Sequence, residues 1–260
     1  FAAATRYITV AERPLELAAA AGAAAQTFPA GSLVFAPTPG PVDLTDSRTW
    51  WRYVEGADWK HPEGPQSSLE GRDDHPVVHV AYDDAAAYAQ WAGKALPTEA
   101  EWEFAARGGL DGKIFTWGDE REPGGAIMAN TWHGEFPWQN TLRDGFERTS
   151  PVGAFPPNAY GLFDMAGNVW EWTCDWYRVY NSEAVAHGKP CCAPADLRPA
   201  SADDSFDPDE PEIRIPRKVL KGGSHLCAPN YCLRFRPAAR MPQMVDTGMS
   251  HLGFRCVQRA

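Results

Sequence analysis

Leu96-Pro97-Thr98-Glu99-Ala100-Glu101-Trp102-Glu103-Phe104-Ala105-Ala106-Arg107-Gly108-Gly109 carries the strongest local instructions in the chain. Thr98 followed three residues later by Glu101 is a capping box: hydroxyl and carboxylate each accept a backbone N–H that the first helical turn leaves unpaired. The interior residues favour helix, acids open it and Arg107 closes it as the helix dipole prefers, and Gly108-Gly109 supplies the stop. A capped helix that ends at the glycines is expected, and its role is architectural.

Upstream, Asp83 to Ala92 reads as a second helix, with two acids at its start, Tyr88, Ala89 and Ala92 on an inner stripe, and Gly93 as its end. Before it, the β-branched run His75-Pro76-Val77-Val78-His79-Val80 predicts a buried strand. His75 and His79 would face the same way on an extended segment, but no third ligand accompanies them, so a metal is not expected there. The first 75 residues hold few periodic patterns. Pro37-Thr38-Pro39-Gly40-Pro41 reads as a rigid turn, and Trp50, Trp51, Tyr53 and Trp59 read as packing, with a substrate wall as the alternative. The alanine-rich segment 17–25 follows Glu12 and Glu16 rather than a basic stretch, so it does not read as a signal peptide.

Downstream, two loops offer oxygens to a hard cation. Asn130, the Thr131 carbonyl, Asp144 and the Phe146 carbonyl form one set, and Asp164 and Glu171 bracket a glycine-containing turn that forms another. Calcium takes six to eight oxygens and mixes carboxylates with backbone carbonyls in such irregular loops. Residues 177–216, rich in Pro, Asp and Ser, read as a surface excursion, and the adjacent Cys191-Cys192 within it has no assigned role. Leu252 to Val257 reads as a closing strand.

The chemistry is concentrated in Lys221-Gly222-Gly223-Ser224-His225-Leu226-Cys227-Ala228-Pro229-Asn230-Tyr231-Cys232. On a regular strand or helix Cys227 and Cys232 would diverge, and they meet only if Ala228-Pro229-Asn230 turns. A pair so formed has three uses: a structural disulfide, a redox couple, or a two-thiolate metal site able to hold Cu(I). Residue chemistry leaves all three open.

Composition narrows the class. A chain of 260 residues with 44 % hydrophobic residues can build one large core, and 11 Trp with 23 Gly and 23 Pro point to a loop-rich fold pinned by aromatics. A net charge of −10 argues against nucleic acid or an anionic membrane surface as partner. No apolar run is long enough to span a bilayer. Six cysteines are too few for a disulfide scaffold and suggest cytosolic thiols. Phosphate loops, dinucleotide fingerprints, serine elbows and HExxH zinc helices are absent from the sequence.

Four phrases together resemble one family. Leu96-Pro97-Thr98-Glu99-Ala100-Glu101-Trp102-Glu103, Gly167-Asn168-Val169-Trp170-Glu171-Trp172, Lys221-Gly222-Gly223-Ser224 and Gly253-Phe254-Arg255-Cys256 look like the formylglycine-generating enzyme (sulfatase-modifying factor) superfamily. The resemblance implies an α+β fold: a single domain, low in regular secondary structure and related to C-type lectins. The cysteine pair resembles the catalytic members, which bind Cu(I) between these thiolates. With molecular oxygen they oxidise a peptidyl cysteine in a sulfatase Cys-x-Pro-x-Arg motif to Cα-formylglycine.

By that resemblance Cys227, Cys232, Ser224 and Trp170 are the catalytic residues, with Arg234, Arg236 and Arg240 close by. Calcium ligands fall on Asn130, Thr131, Asp144 and Phe146, and on Asp164, Gly167, Val169 and Glu171. The implied partners are an unfolded or nascent sulfatase polypeptide, oxygen and a thiol reductant, acting on a monomer in a bacterial cytoplasm, with activity favoured at mildly alkaline pH. The alternative is a non-catalytic binding module of the same fold with Cys227 and Cys232 as a disulfide. The iron-dependent sulfoxide synthases of this fold need a histidine cluster that is not seen. Two departures stand out: the family's opening Pro-Gly-Gly-x-Phe-x-Met-Gly segment is not present, so Phe1 reads as a point already inside the domain, and the cysteine some relatives pair with Cys256 is here Ala106.

Overall fold

The computed structural model describes residues 1–17, 26–179 and 200–259. In chain order it holds α1 (Ala2–Thr5), β1 (Leu15–Leu17), β2 (Gln26–Phe28), β3 (Gly31–Phe35), β4 (Trp51–Glu55), α2 (Tyr82–Trp91), α3 (Glu99–Arg107), β5 (Trp170–Trp176), β6 (Arg217–Lys221), β7 (Met241–Met244) and β8 (Leu252–Gly253). Strands β1 and β2 pair with each other, as do β3 and β4, and a four-stranded sheet runs β7-β6-β5-β8. Within it β5/β6 and β6/β7 are antiparallel and β5/β8 is parallel, with Trp172 opposite Leu220 and Trp170 opposite Leu252. These four residues are buried, and their side chains form the centre of the main core. The expectation of an α+β fold with few regular elements holds.

Helix α3 forms as its capping box dictates. Thr98 Oγ1 accepts the Glu101 N–H at 3.1 Å, Glu101 accepts the Thr98 N–H at 2.7 Å, and Gly108 closes the helix at φ 56°. Helix α2 starts at Tyr82 and buries Asp84, Ala85 and Ala89. Its acid does more than complement the dipole. The Asp84 carboxylate accepts the Ala81 N–H at 2.9 Å, the Val10 N–H at 3.1 Å and the Tyr7 hydroxyl at 3.1 Å, which ties the N-terminal segment down.

Two expectations need correction. Residues 75–80 form no strand, because His79 adopts φ 59° and breaks the extended run. Its ring is buried with Nδ1 at 2.8 Å from Ser32 Oγ and Nε2 at 2.8 Å from the Pro62 carbonyl, so tertiary contacts hold a backbone that β-propensity disfavours. The closing strand stops at Gly253, with only an isolated bridge from Val257 to Ala95 beyond it.

Between α3 and β5 the chain has neither α-helix nor strand, yet its buried backbone groups must find partners. Asparagine side chains supply them. Asn168 mimics a ladder partner, accepting the Ser150 N–H at 3.0 Å and donating to the Ser150 carbonyl at 3.1 Å. Asn158 donates to the Ala105 and Ala106 carbonyls and so covers the open end of α3. Of the segment 177–216, residues 177–179 and 200–216 are described, and Arg217 pins the latter through Ser205 and Asp207. Cys191, Cys192 and segment 18–25 lie outside the described residues. Among the described residues no helix is long and apolar enough to cross a membrane.

Candidate active site

Strand β6 delivers the chain into the Gly222-Gly223-Ser224 approach. Gly223 sits at φ 72°, and a Cβ there would lie 2.8 Å from the Phe235 Cα, so only glycine lets these two segments touch. The chain then turns at Pro229-Asn230-Tyr231 as the Pro-Asn signal predicts. The Cys232 N–H donates to the Ala228 carbonyl at 2.7 Å, and Asn230 is clamped against Glu135 and Phe136. The turn brings the two sulfurs to 3.2 Å, hydrogen-bonded and both free thiols.

Their environments differ. Cys227 is 2 % exposed, whereas Cys232 opens to a cleft of about 450 Å³. The hydrogen bond from the Cys227 thiol, with the Arg234 N–H and guanidinium, pulls Cys232 down to about 7 against the upward push of burial. Sharing that proton and deep burial push Cys227 up. The pair thus loses its first proton from Cys232, around neutral pH, while Cys227 keeps its thiol.

Ser224 and Trp170 line the same cleft, together with Trp51, Tyr231, Arg234 and His251. Of the aromatic cluster Trp50, Trp51, Tyr53 and Trp59, Trp50 and Trp51 line this cleft. Trp50 is buried edge-on against Phe136, 5.3 Å between centroids. Of the three arginines expected nearby, Arg234 faces the cleft. Arg240 instead pairs with Glu99 of α3 at 2.7 Å, and Arg236 turns back onto the Leu233 carbonyl. His251 and the β7 residues Met241, Gln243 and Met244 were not legible as cleft residues, because nothing in their spacing points to the cysteines. A cavity of about 530 Å³, lined by Phe1, Tyr88, Lys94 and Cys256, holds a single thiol and no thiol pair.

The two candidate calcium sets lie in adjoining loops, joined where the Asn168 N–H donates to the Asn130 carbonyl at 2.9 Å. In the first, the Asp144 side chain is fully buried and accepts the Thr131 and Phe146 N–H groups at 3.2 and 3.1 Å. Burial pushes its carboxyl up, with only His133 at 3.7 Å as a prospective counter-charge. Asn130 is 1 % exposed, and its Oδ1 has no hydrogen-bond partner among the described residues. A buried carboxylate without a cation and an orphan amide oxygen fit a hard cation.

The second set is different. Asp164 accepts the Gly153 N–H at 2.8 Å, and Gly167 packs its backbone on Asn130, where any Cβ would collide with the carbonyl. Val169 is buried beside it. Glu171 accepts Trp102 Nε1 at 2.6 Å and both Arg255 Nε and Nη2, at 2.5 and 2.7 Å. Arg255 Nη2 also donates to the Asp164 backbone carbonyl at 3.3 Å, so the protein's own cation already occupies the Glu171 carboxylate of this set.

A sequence profile described as "Sulfatase-modifying factor enzyme 1-like domain" matches residues 40–260. The chain belongs to that family. It is 52 % identical over 258 residues to a protein of Mycobacterium tuberculosis (strain ATCC 25618 / H37Rv) named "Formylglycine-generating enzyme", covering 99 % of this chain and 82 % of the relative. It is also 40 % identical over 215 residues to "Inactive C-alpha-formylglycine-generating enzyme 2" of Bos taurus, covering 82 % and 60 %. The solved structure "Crystal Structure of CarF" shares the fold at TM-score 0.51 with 21 % identity, over 76 % of this chain and 73 % of that one. The fold is thus the C-type-lectin-like one of the sulfatase-modifying factors. Family membership spans proteins named active and inactive, which gives the cleft's own chemistry the deciding weight.

Proposed function

We propose that this chain converts a peptidyl cysteine of a sulfatase, in a Cys-x-Pro-x-Arg context, to Cα-formylglycine with molecular oxygen and a thiol reductant. One observation carries the reading: two free thiols 3.2 Å apart, one of them open to a walled cleft. A binding module needs no such pair, and a staple would join the sulfurs.

Cys227 and Cys232 are a donor set suited to Cu(I), which accepts soft sulfur at low coordination number. Held there, the metal would supply the one-electron chemistry with oxygen that thiols alone lack. The chain's own residues do the rest. The Cys232 thiolate is available near neutral pH, and Cys227 gives up its proton when a ligand replaces the shared hydrogen bond. Trp51, Trp170 and Tyr231 wall the cleft against water, and Arg234 holds negative charge beside the sulfurs. Substrate thiol, oxygen, two electrons and two protons from the reductant yield aldehyde, hydrogen sulfide and water. The Cβ–H and C–S bonds break, and hydrolysis of a thioaldehyde forms the C=O bond.

Asn130, Thr131, Asp144 and Phe146 would hold a structural calcium ion. Asp164, Gly167, Val169 and Glu171 are the weaker holders, since Arg255 already pairs with the Glu171 carboxylate. The free thiols at Cys174, Cys227, Cys232 and Cys256 suit a reducing bacterial cytoplasm, where a nascent sulfatase is the natural substrate of a monomer.

Anaerobic Cu(I) titration followed by mass spectrometry of a Cys-x-Pro-x-Arg peptide tests the proposal. About one Cu(I) per chain and conversion of the peptide thiol to an aldehyde are expected. A Cys232→Ser protein that still makes aldehyde at the wild-type rate would end this reading.

A further inference from the structure

Ser224 has no exposed surface, and its hydroxyl oxygen has two neighbours in hydrogen-bond reach. The Leu226 N–H donates to it at 3.3 Å, and His251 Nδ1 lies 3.0 Å away. His251 is buried too, with its ring edge-on against Trp51 at 4.7 Å between centroids, and its Nε2 has no hydrogen-bond partner among the described residues. Burial, reinforced by buried His225 and His79, keeps the imidazole neutral.

A neutral imidazole carries its proton on one nitrogen and a lone pair on the other. A proton on Nε2 would bury a donor without an acceptor, the rarer kind of orphan. A proton on Nδ1 gives Ser224 Oγ a second N–H donor, and both serine lone pairs are then filled. With His251 donating, the serine proton is left without an acceptor among the described residues, and the side on which one can arrive is the cleft that Ser224, His251 and Cys227 all line.

We propose that His251 is a positioning residue of this site: as its Nδ1–H tautomer it fixes Ser224 as a hydrogen-bond donor directed into the cleft, toward an anionic sulfur held beside Cys227. The function proposed above enters only in naming what the hydroxyl meets. A serine without this neighbour would rotate freely between donating and accepting. With it, the donor is set before the substrate arrives, which is the preorganisation that stabilises developing charge.

Two measurements decide it. Nitrogen-15 spectra of histidine-labelled, copper-free protein, with His251 assigned by its loss in His251→Asn, should show a protonated Nδ1 and a bare Nε2. A protonated Nε2 overturns the inference. In turnover of the peptide, His251→Phe keeps the ring against Trp51 but removes the donor. It should lower kcat on the order of 10–100-fold with KM unchanged. His251→Asn, whose amide nitrogen falls near the Nδ1 position, should recover most of that loss, and on a Ser224→Ala background His251→Phe should cost nothing further. Equal losses from Phe and Asn, or losses that multiply with Ser224→Ala, would show a packing role and overturn it. A wild-type protein that turns over no peptide sinks the proposed function instead, and the tautomer then decides this inference alone.

Discussion

Two buried polar clusters meet across the Asn130–Asn168 backbone contact, and they are built on opposite principles. Around Glu171 every charge is answered: Arg255 binds both carboxylate oxygens and Trp102 adds an N–H. Next to it Lys221, with no exposed side chain, sits 3.0 Å from Glu103 of α3. Around Asp144 the account stays open. No lysine or arginine among the described residues pairs with that carboxylate, and Asn130 Oδ1 and His133 Nε2 have no hydrogen-bond partners among them. A closed cluster is architecture, since it gains nothing from a further ligand. An open one is a place the fold leaves ready, because the cost of burying unpaired polar atoms is recovered only when something binds.

The comparison breaks first, and most heavily, at Arg255. Arg255→Met removes the counter-charge of a carboxylate whose side chain is 6 % exposed, and should cost about 3–5 kcal/mol in urea unfolding. A loss below about 1 kcal/mol would mean that the closed cluster is not the framework argued here. The open cluster should respond to calcium instead. At about 100 times its Kd the ion should add about 2.7 kcal/mol, seen as a higher Tm than in chelator, and Asn130→Ala should abolish most of the gain. Identical melting with calcium and with chelator would remove the first site from consideration.

What could be read from residue order follows the same division between local and distant partners. Helix α3 was legible because Thr98 and Glu101 complete each other within one turn. The turn at Pro229-Asn230 was legible for the same reason, and with it the meeting of Cys227 and Cys232. The strand expected at 75–80 failed because Ser32 and Pro62, far off in the chain, hold His79 in a left-handed conformation. His251 could not be found at all: its partner Ser224 is 27 residues away, and the pairing exists only once β5 and β8 lie side by side. The calcium loops were visible as oxygen-rich spacing, but the difference between them depends on where Arg255 points, which no spacing encodes.

The smallest test uses acid and a third carboxylate. Glu12 accepts the Thr9 N–H at 3.0 Å and pairs with Lys60 at 2.5 Å, closing a surface cluster. Burial pushes its carboxyl up, but the Lys60 ammonium and the Thr9 and Trp59 donors outweigh it and bring it from 4.5 to about 2. A carboxyl depressed in the folded state stabilises the fold above its unfolded value and loses that contribution as pH falls toward its folded value. Glu12 should therefore hold its full effect above about pH 4.5 and lose it progressively down to about pH 2. Asp144 has the opposite sign in the ion-free protein, since its carboxyl is pushed up. Comparing wild type with Glu12→Gln isolates the closed cluster. The wild type should be more stable by about 1 kcal/mol or less at neutral pH, the range of solvent-screened pairs, and the gap should shrink through the acid range. A gap that stays constant with pH would show that the Glu12 contacts work by shape alone, and that closing a cluster with charge confers nothing at the surface.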